Sequence, residues 1–182
     1  MFFFQVSKEF YEAYRNRARF MDVKWCDFQP GKYIHPTDPL YAEVWKAFMR
    51  EYSSRYGTDH LWWLPSFFEM RLGEDLPPEE QLKLKIDIAK KTLEATKSVD
   101  PQAILICFGW TFAVKQFWPK EHAKAFLEVF PDEAIRVWEL WEDYCYPSER
   151  VPQPLYKDLD YYFGKPWLMG FLHSFAGNTS LH

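Results

Sequence analysis

Glu69 is the residue whose type and surroundings point most directly to chemistry. It stands just past a short aromatic stretch, His60 to Leu64, and among Trp62, Trp63, Phe67, Phe68 and Met70. Apolar neighbours disfavour the ionised form of a carboxyl group, so a Glu in such company can keep its proton near neutral pH and donate it. A carboxylate just beyond the end of a strand is also where an α/β barrel assembles its active site. The plainer reading of the same letters is a solvated loop residue beside core aromatics.

Other chemistries find little purchase. The five histidines show no HExxH and no metal-ligand spacing, and neither a GxGxxG, a P-loop nor a GxSxG elbow is present, so no metal or cofactor is expected. Cys26, Cys107 and Cys145 are odd in number, far apart and free of any CxxC, which argues against a disulfide framework. Cys107 sits in an apolar run and reads as a small buried hydrophobe. A net charge of −4 with scattered Lys and Arg is no footprint for nucleic acid. Without an 18-residue apolar run, no membrane span is expected, and MFFFQVSKEF carries no cleavage pattern, so the cytoplasm is the default. Asn178-Thr179-Ser180 is a formal glycosylation acceptor that matters only in a secreted chain.

The elements that must position Glu69 can be read in order. The chain of 182 residues is long enough for one domain with a sizeable core, and 20% of it is aromatic, including nine Trp. Most of these rings belong in the core; a subset on loops could form stacking platforms. Ser7 to Phe20 reads as a helix capped by Ser7, and Val23 to Cys26 as a short strand. Asp38-Pro39 opens a helix, with Leu40, Val44, Ala47 or Phe48, and Glu51 or Tyr52 recurring, and Gly57 closes it. His60 to Leu64 is a strand and Glu69 lies on its loop. Pro77 or Pro78 starts the clearest helix, with Leu82, Ile86, Ala89, Leu93 and Thr96 on one face, a solvated Glu-Lys alternation from Glu79 to Lys91, and a stop at Asp100-Pro101.

Ala103 to Phe108 is a continuous apolar run, as suits a strand buried on both faces, and it ends in Gly109-Trp110. Pro119 starts another helix through about Val129, and Pro131-Asp132 breaks it. Ile135 to Trp141 is a strand ending in Glu142-Asp143. A long connection rich in Pro and Tyr, Tyr144 to Lys165, leads to a last strand, Trp167 to Leu172, ending in His173. Strand, loop and helix therefore alternate, which implies parallel strands with right-handed crossovers. Four clear strands and one weaker one fall short of the eight that close a barrel. The expected fold class is α/β, a partial (β/α)8 TIM-like barrel of about four to five βα units, forming a single incomplete domain over residues 1–182.

At this point a family resemblance enters. YGTDHL, the loop Glu69 ahead of Pro77-Pro78, Asp100-Pro101 leading to Gly109-Trp110, and LHSFAGN near the end occur in one order, from about Trp25 to Asn178. The chain resembles the barrel domain of glycoside hydrolase family 89, the α-N-acetylglucosaminidases. That resemblance implies retaining hydrolysis of terminal α-linked N-acetylglucosamine with two carboxyl groups, and places Glu69 at the general acid/base. It puts Trp110 and Trp25 in the sugar-binding set, with His173 and Asn178 in a segment similar to the family's HNFGGN; Trp63, beside the Glu69 loop, is a further substrate-binding candidate. The departures are Phe68 where the family has Asn, Met169 where it tends to have Trp, SFAGN for NFGGN, and Asp143 where it has Glu. The family's nucleophile Glu is expected beyond the end of this chain.

Retention needs two carboxyls about 5–5.5 Å apart, and inversion roughly 6.5–9.5 Å. Within this chain the candidates for the second are Asp143, Glu142 and Glu139, for which a structural or hydroxyl-binding role is the competing reading. Two accounts follow. Either the chain is part of a glycosidase whose other strands come from elsewhere, or it is a non-catalytic barrel remnant that binds carbohydrate or self-associates. An open half-barrel exposes sheet edges and apolar faces, so a homo-oligomer or a complementary barrel chain is expected under both, with carbohydrate as the small partner, and neither nucleic acid nor membrane.

Overall fold

In a computed structural model, the structure describes residues 5–24, 28–64, 70, 72–139 and 155–170. Helix α1, Lys8–Tyr14, is capped by Ser7, whose Oγ accepts the Phe10 N–H at 3.2 Å. It ends well before Phe20, because Phe20–Val23 (β1) is already a strand, antiparallel to Gly31–Ile34 (β2). The strand expected over Val23 to Cys26 thus lies three residues earlier, where Phe20 pairs with Ile34 and Met21 with Tyr33.

Helix α2, Pro39–Tyr56, begins as its letters require. The Asp38 carboxylate accepts from Leu40 N at 3.0 Å, Pro39 fills the first helical position, and Gly57 takes a φ of 74° after the last turn. Its innermost positions are Tyr41, Trp45 and Met49, one step round from the apolar stripe of the sequence, while Leu40, Val44 and Phe48 pack at its margin. The long helix α3, Pro78–Val99, buries Ala89 and Thr96 as expected, while Leu82, Ile86 and Leu93 lie at the margin of its buried face. Leu84, Lys85, Ile88, Ala89, Thr92, Ala95 and Thr96 are buried. Polar groups turn inward here because they meet each other: the Tyr41 hydroxyl lies 2.9 Å from Thr92 Oγ1, and Trp45 Nε1 donates to Thr96 Oγ1 at 2.7 Å. Lys85 corrects the expectation of a wholly solvated Glu-Lys face.

Four parallel strands form the main sheet in the order β3-β4-β5-β6: Leu61–Trp63, Ile104–Phe108, Ile135–Glu139 and Trp167–Met169. Between β4 and β5 runs helix α4, Lys120–Glu128, and short helix α5, Leu155–Asp158, precedes β6. Strand alternation sorts the side chains onto two faces. Trp62, Leu105, Cys107, Ile135, Val137 and Glu139 share one parity and are buried in the helix-facing layer with Trp45, Ala123, Phe126 and Leu127. Leu61, Trp63, Ile106, Phe108, Trp138 and Leu168 share the other. This is the α/β partial barrel, and its open face is lined by aromatic and aliphatic side chains. Among the described residues no helix is long and apolar enough to cross a membrane.

At the N-terminal pole of the sheet, Asp100 ties α3 to β3 and β4. Its carboxylate accepts from Trp62 Nε1 at 3.0 Å and from Gln102 N at 3.1 Å, and lies 2.9 Å from His60 Nδ1. Burial acts to raise the Asp100 pKa, but the hydrogen bonds of Trp62 and His60, the His60 charge and the Gln102 N–H together hold it below the ordinary carboxylate value. A carboxyl group whose folded pKa is depressed stabilises the fold above its unfolded pKa and ceases to do so as pH falls through the folded value. Asp100→Asn is therefore expected to lower the urea midpoint at pH 7, with the gap from the parent protein closing below a pH of about 4. A gap independent of pH would show that packing, not charge, carries the Asp100 contribution.

Candidate active site at the carboxyl ends of the strands

Parallel strands place all their carboxyl ends on one edge, and four segments leave that edge side by side: after Trp63, after Phe108, after Glu139 and after Met169. The first carries Glu69, the third Glu142 and Asp143, and the last His173 and Asn178. Glu69, Glu142, Asp143, His173 and Asn178 lie outside the described residues, as does Trp25. The described flanks of the Glu69 segment are firmly seated: Leu64 and Met70 are 3% and 1% exposed, and Leu64 N continues the ladder to Ile106 O at 2.8 Å. With β4 between them, the ends of β3 and β5 stand two strand spacings apart, on the order of 10 Å.

Trp63 and Trp110 take different surroundings. The Trp63 ring stacks on Phe108, with centroids 4.2 Å apart and planes at 8°, and on Trp138 at 5.1 Å. It is still 38% exposed, so the triple stack presents an aromatic surface on the open face of the sheet. A groove of about 880 Å³ runs over this surface, lined by Tyr52, Tyr56, Asp59, Leu61, Trp63 and Trp138 among others. Trp110 lies in a short 3₁₀ turn, Gly109–Phe112, directly after β4, and packs against Ala113 and Leu155.

Glu139 is the one described member of the three candidate second carboxyls, and its geometry assigns it a different task. It is fully buried and belongs to the helix-facing parity of β5, on the side away from the open face. Its Oε2 accepts the Tyr162 hydroxyl proton and the Tyr156 N–H, the latter at 3.2 Å. Tyr162 reaches it through a left-handed turn: Asp160, Tyr161, Tyr162 and Phe163 all have φ between 48° and 57°, and Gly164 follows at 81°. The turn sits inside the long Tyr- and Pro-rich connection, where the sequence reading placed no element. Burial and the Glu139 charge push the Tyr162 hydroxyl pKa upward, so this tyrosine remains a donor. Gly109 makes room for the contact, since a Cβ there would come within 2.3 Å of the Tyr162 hydroxyl oxygen. Gly170 N donates to the Glu139 carbonyl at 3.0 Å. The Glu139 residue thereby joins the ends of β4, β5 and β6 to the 155–164 segment.

The structural role weighed for Glu139 in the sequence is the one its contacts serve, whereas Tyr162 was not singled out there. The available signal was parity: a lone acid two residues after Val137 continues the buried set Ile135, Val137, Glu139, so a satisfied internal carboxylate was the expectation to draw. Cys107 is buried as expected, and burial pushes its thiol up to about 12. Among the described residues no group of three or more His, Cys, Asp or Glu could hold a metal ion.

The comparisons agree with this arrangement. The chain matches the family described as alpha-N-acetylglucosaminidase (NAGLU) TIM-barrel domain over residues 1–182. It is 27% identical over 157 residues to the alpha-N-acetylglucosaminidase of Homo sapiens, covering 86% of this chain and 19% of that protein. Its fold is similar to that of a family 89 glycoside hydrolase from Clostridium perfringens, solved in complex with PUGNAc, at a TM-score of 0.59 and 17% identity, over 97% of this chain and 18% of that one. The chain thus spans about a fifth of the length of these relatives. With an open parallel sheet, helices on one face, and a match along its whole length, the chain belongs to the α-N-acetylglucosaminidase TIM-barrel domain family.

Proposed function

We propose that this chain forms the acid/base half of a retaining glycosidase site for terminal α-linked N-acetylglucosamine. The observation that supports the reading is the parallel sheet, in which the end of β3, the strand that precedes Glu69 in the sequence, lies on the same edge as the ends of β4, β5 and β6, in a member of this family. Glu69 would protonate the leaving glycosidic oxygen and then deprotonate the incoming water. Trp25, Trp63, Trp110, His173 and Asn178 would bind the sugar, with Phe68 and Met169 altering its fit. The second carboxyl would come from the remainder of a longer barrel, with Asp143 as the weaker candidate in this chain. The test is hydrolysis of an aryl α-N-acetylglucosaminide by the 182-residue chain, with PUGNAc as competitor. PUGNAc-sensitive turnover supports a full site; PUGNAc binding without turnover supports half of one. The absence of both binding and turnover would overturn the reading for this chain.

One observation favours a second reading, association through the sheet. Leu61 and Trp63 on β3 and Leu168 and Met169 on β6 are 49%, 38%, 40% and 52% exposed, and both strands are edges of the described sheet. Exposed apolar edges of this kind pair readily. Four parallel strands are half of the eight that close a barrel, so a second copy, with its β3 beside β6, would complete the ring. Sedimentation at micromolar concentration is expected to show a dimer that Leu168→Lys dissociates; a monodisperse monomer would rule the dimer out.

A further inference from the structure

Lys85 lies on the inner side of α3 and is 1% exposed, and among the described residues no carboxylate lies within ion-pair distance of it, a rare setting for a buried lysine. Its Nζ donates to the Phe117 carbonyl at 2.5 Å, lies 2.9 Å from His122 Nδ1 and stands 5.0 Å from the centre of the Trp118 ring. An ammonium has only donors, so His122 Nδ1 must be the acceptor and its ring must be neutral. Phe117 and Trp118 belong to the loop that leads from the 3₁₀ turn of Trp110 to α4, and both of their N–H groups close on Val114 O at 2.9 Å. His122, 7% exposed, sits in the first turn of α4.

We propose that Lys85 and His122 form an acid-sensitive latch that holds the Trp110-to-Trp118 loop onto α3 at neutral pH and releases it when His122 gains a proton. Protonation removes the acceptor at Nδ1 and sets an imidazolium against a buried ammonium, and among the described residues Glu121 is the negative charge that bears on the two groups. The neighbouring charges on the packed elements are otherwise engaged: Lys115 of the loop with Asp158, Lys120 of α4 with Asp160, and Lys83 with Asp87 on α3. Burial lowers the Lys85 pKa to about 8, with Glu121 opposing it; burial and the Lys85 charge lower that of His122. A histidine whose folded pKa is depressed stabilises the fold above its unfolded pKa of about 6.5, and that contribution fades as pH falls through the folded value. The latch therefore closes at neutrality and opens in acid. Its consequence for sugar binding rests on the glycosidase reading through Trp110; the latch itself does not.

Hydrogen exchange of the Ala113, Phe117 and Trp118 amides, corrected for intrinsic rates, tests it between pH 7.5 and pH 5. Protection in the parent chain is expected to fall roughly tenfold or more toward pH 5, the scale of losing one hydrogen bond to a charged group. In His122→Asn, whose Oδ1 can accept from Lys85 and does not titrate, protection should stay flat. In Lys85→Met it should be low throughout. Protection that ignores pH in the parent, or that falls equally in His122→Asn, would overturn the latch. Because exchange is read without substrate, a failed glycosidase assay leaves this result intact, and the converse also holds.

Discussion

Glu139→Ala is expected to cost about 3–5 kcal/mol of folding stability, read as a lower urea midpoint. Two buried donors, the Tyr156 N–H and the Tyr162 O–H, lose the oxygen they share, at about 1–3 kcal/mol each, and a cavity is added beside them. Glu139→Gln should cost far less, about 1 kcal/mol, since an amide oxygen can stand where Oε2 stands and accept both donors. Should Gln prove as damaging as Ala, the charge rather than the hydrogen bonds would be the essential property.

The same contact explains a stretch of backbone that is otherwise hard to account for. Side chains other than glycine cost roughly 1–2 kcal/mol each in the left-handed region, and Asp160 to Phe163 hold it four times in succession. What offsets that cost is visible: Tyr162 is fully buried, its hydroxyl meets a carboxylate, and Tyr156 stacks on Trp167 at 5.2 Å. Tyr162→Phe should then be less than additive with Glu139→Ala, because the second change removes what the first has already broken. Gly109→Ala, which would drive the Tyr162 hydroxyl off Glu139, should fall in the same class.

These residues also show how far the letters could lead. The caps of α2 were legible because Asp38-Pro39 and Gly57 act locally, through one side-chain acceptor and one positive φ. The parallel strands were legible because both-face burial writes continuous apolar runs such as Ala103 to Phe108. The buried stripe of α2 came out one position round and that of α3 only in part, with Ala89 and Thr96 as expected, since a reading by hydrophobicity passes over Tyr41, Lys85 and Thr92, whose burial depends on partners on another helix or loop. The turn at residues 160–164 has only a weak signature, Asp160 and Gly164 at its ends, as nothing local in Tyr161, Tyr162 and Phe163 favours positive φ. At the site, carboxyls and rings were recognisable by type. Which face each would occupy was a question of strand parity, and for Glu139 parity pointed to the core.

Glu69→Gln is the substitution with the greatest expected effect on chemistry. A positioned acid/base contributes about 10²–10⁴-fold to rate, and cleavage of the glycosidic bond with an unactivated leaving group leans on it fully. Turnover of such a substrate by the catalytically competent polypeptide should therefore drop by about 10³-fold or more, while the urea midpoint moves little, the volume being conserved. An aryl glycoside with a very acidic phenol needs less protonation to depart, so its first step should suffer least, and added azide should restore part of the second by replacing the water that Glu69 no longer activates. Equal losses on good and poor leaving groups, with no azide rescue, would remove Glu69 from the acid/base role and leave it a binding residue. That outcome would shift attention to the acids at the end of β5, of which Glu139 is already committed to Tyr156 and Tyr162, and hence to Glu142 and Asp143.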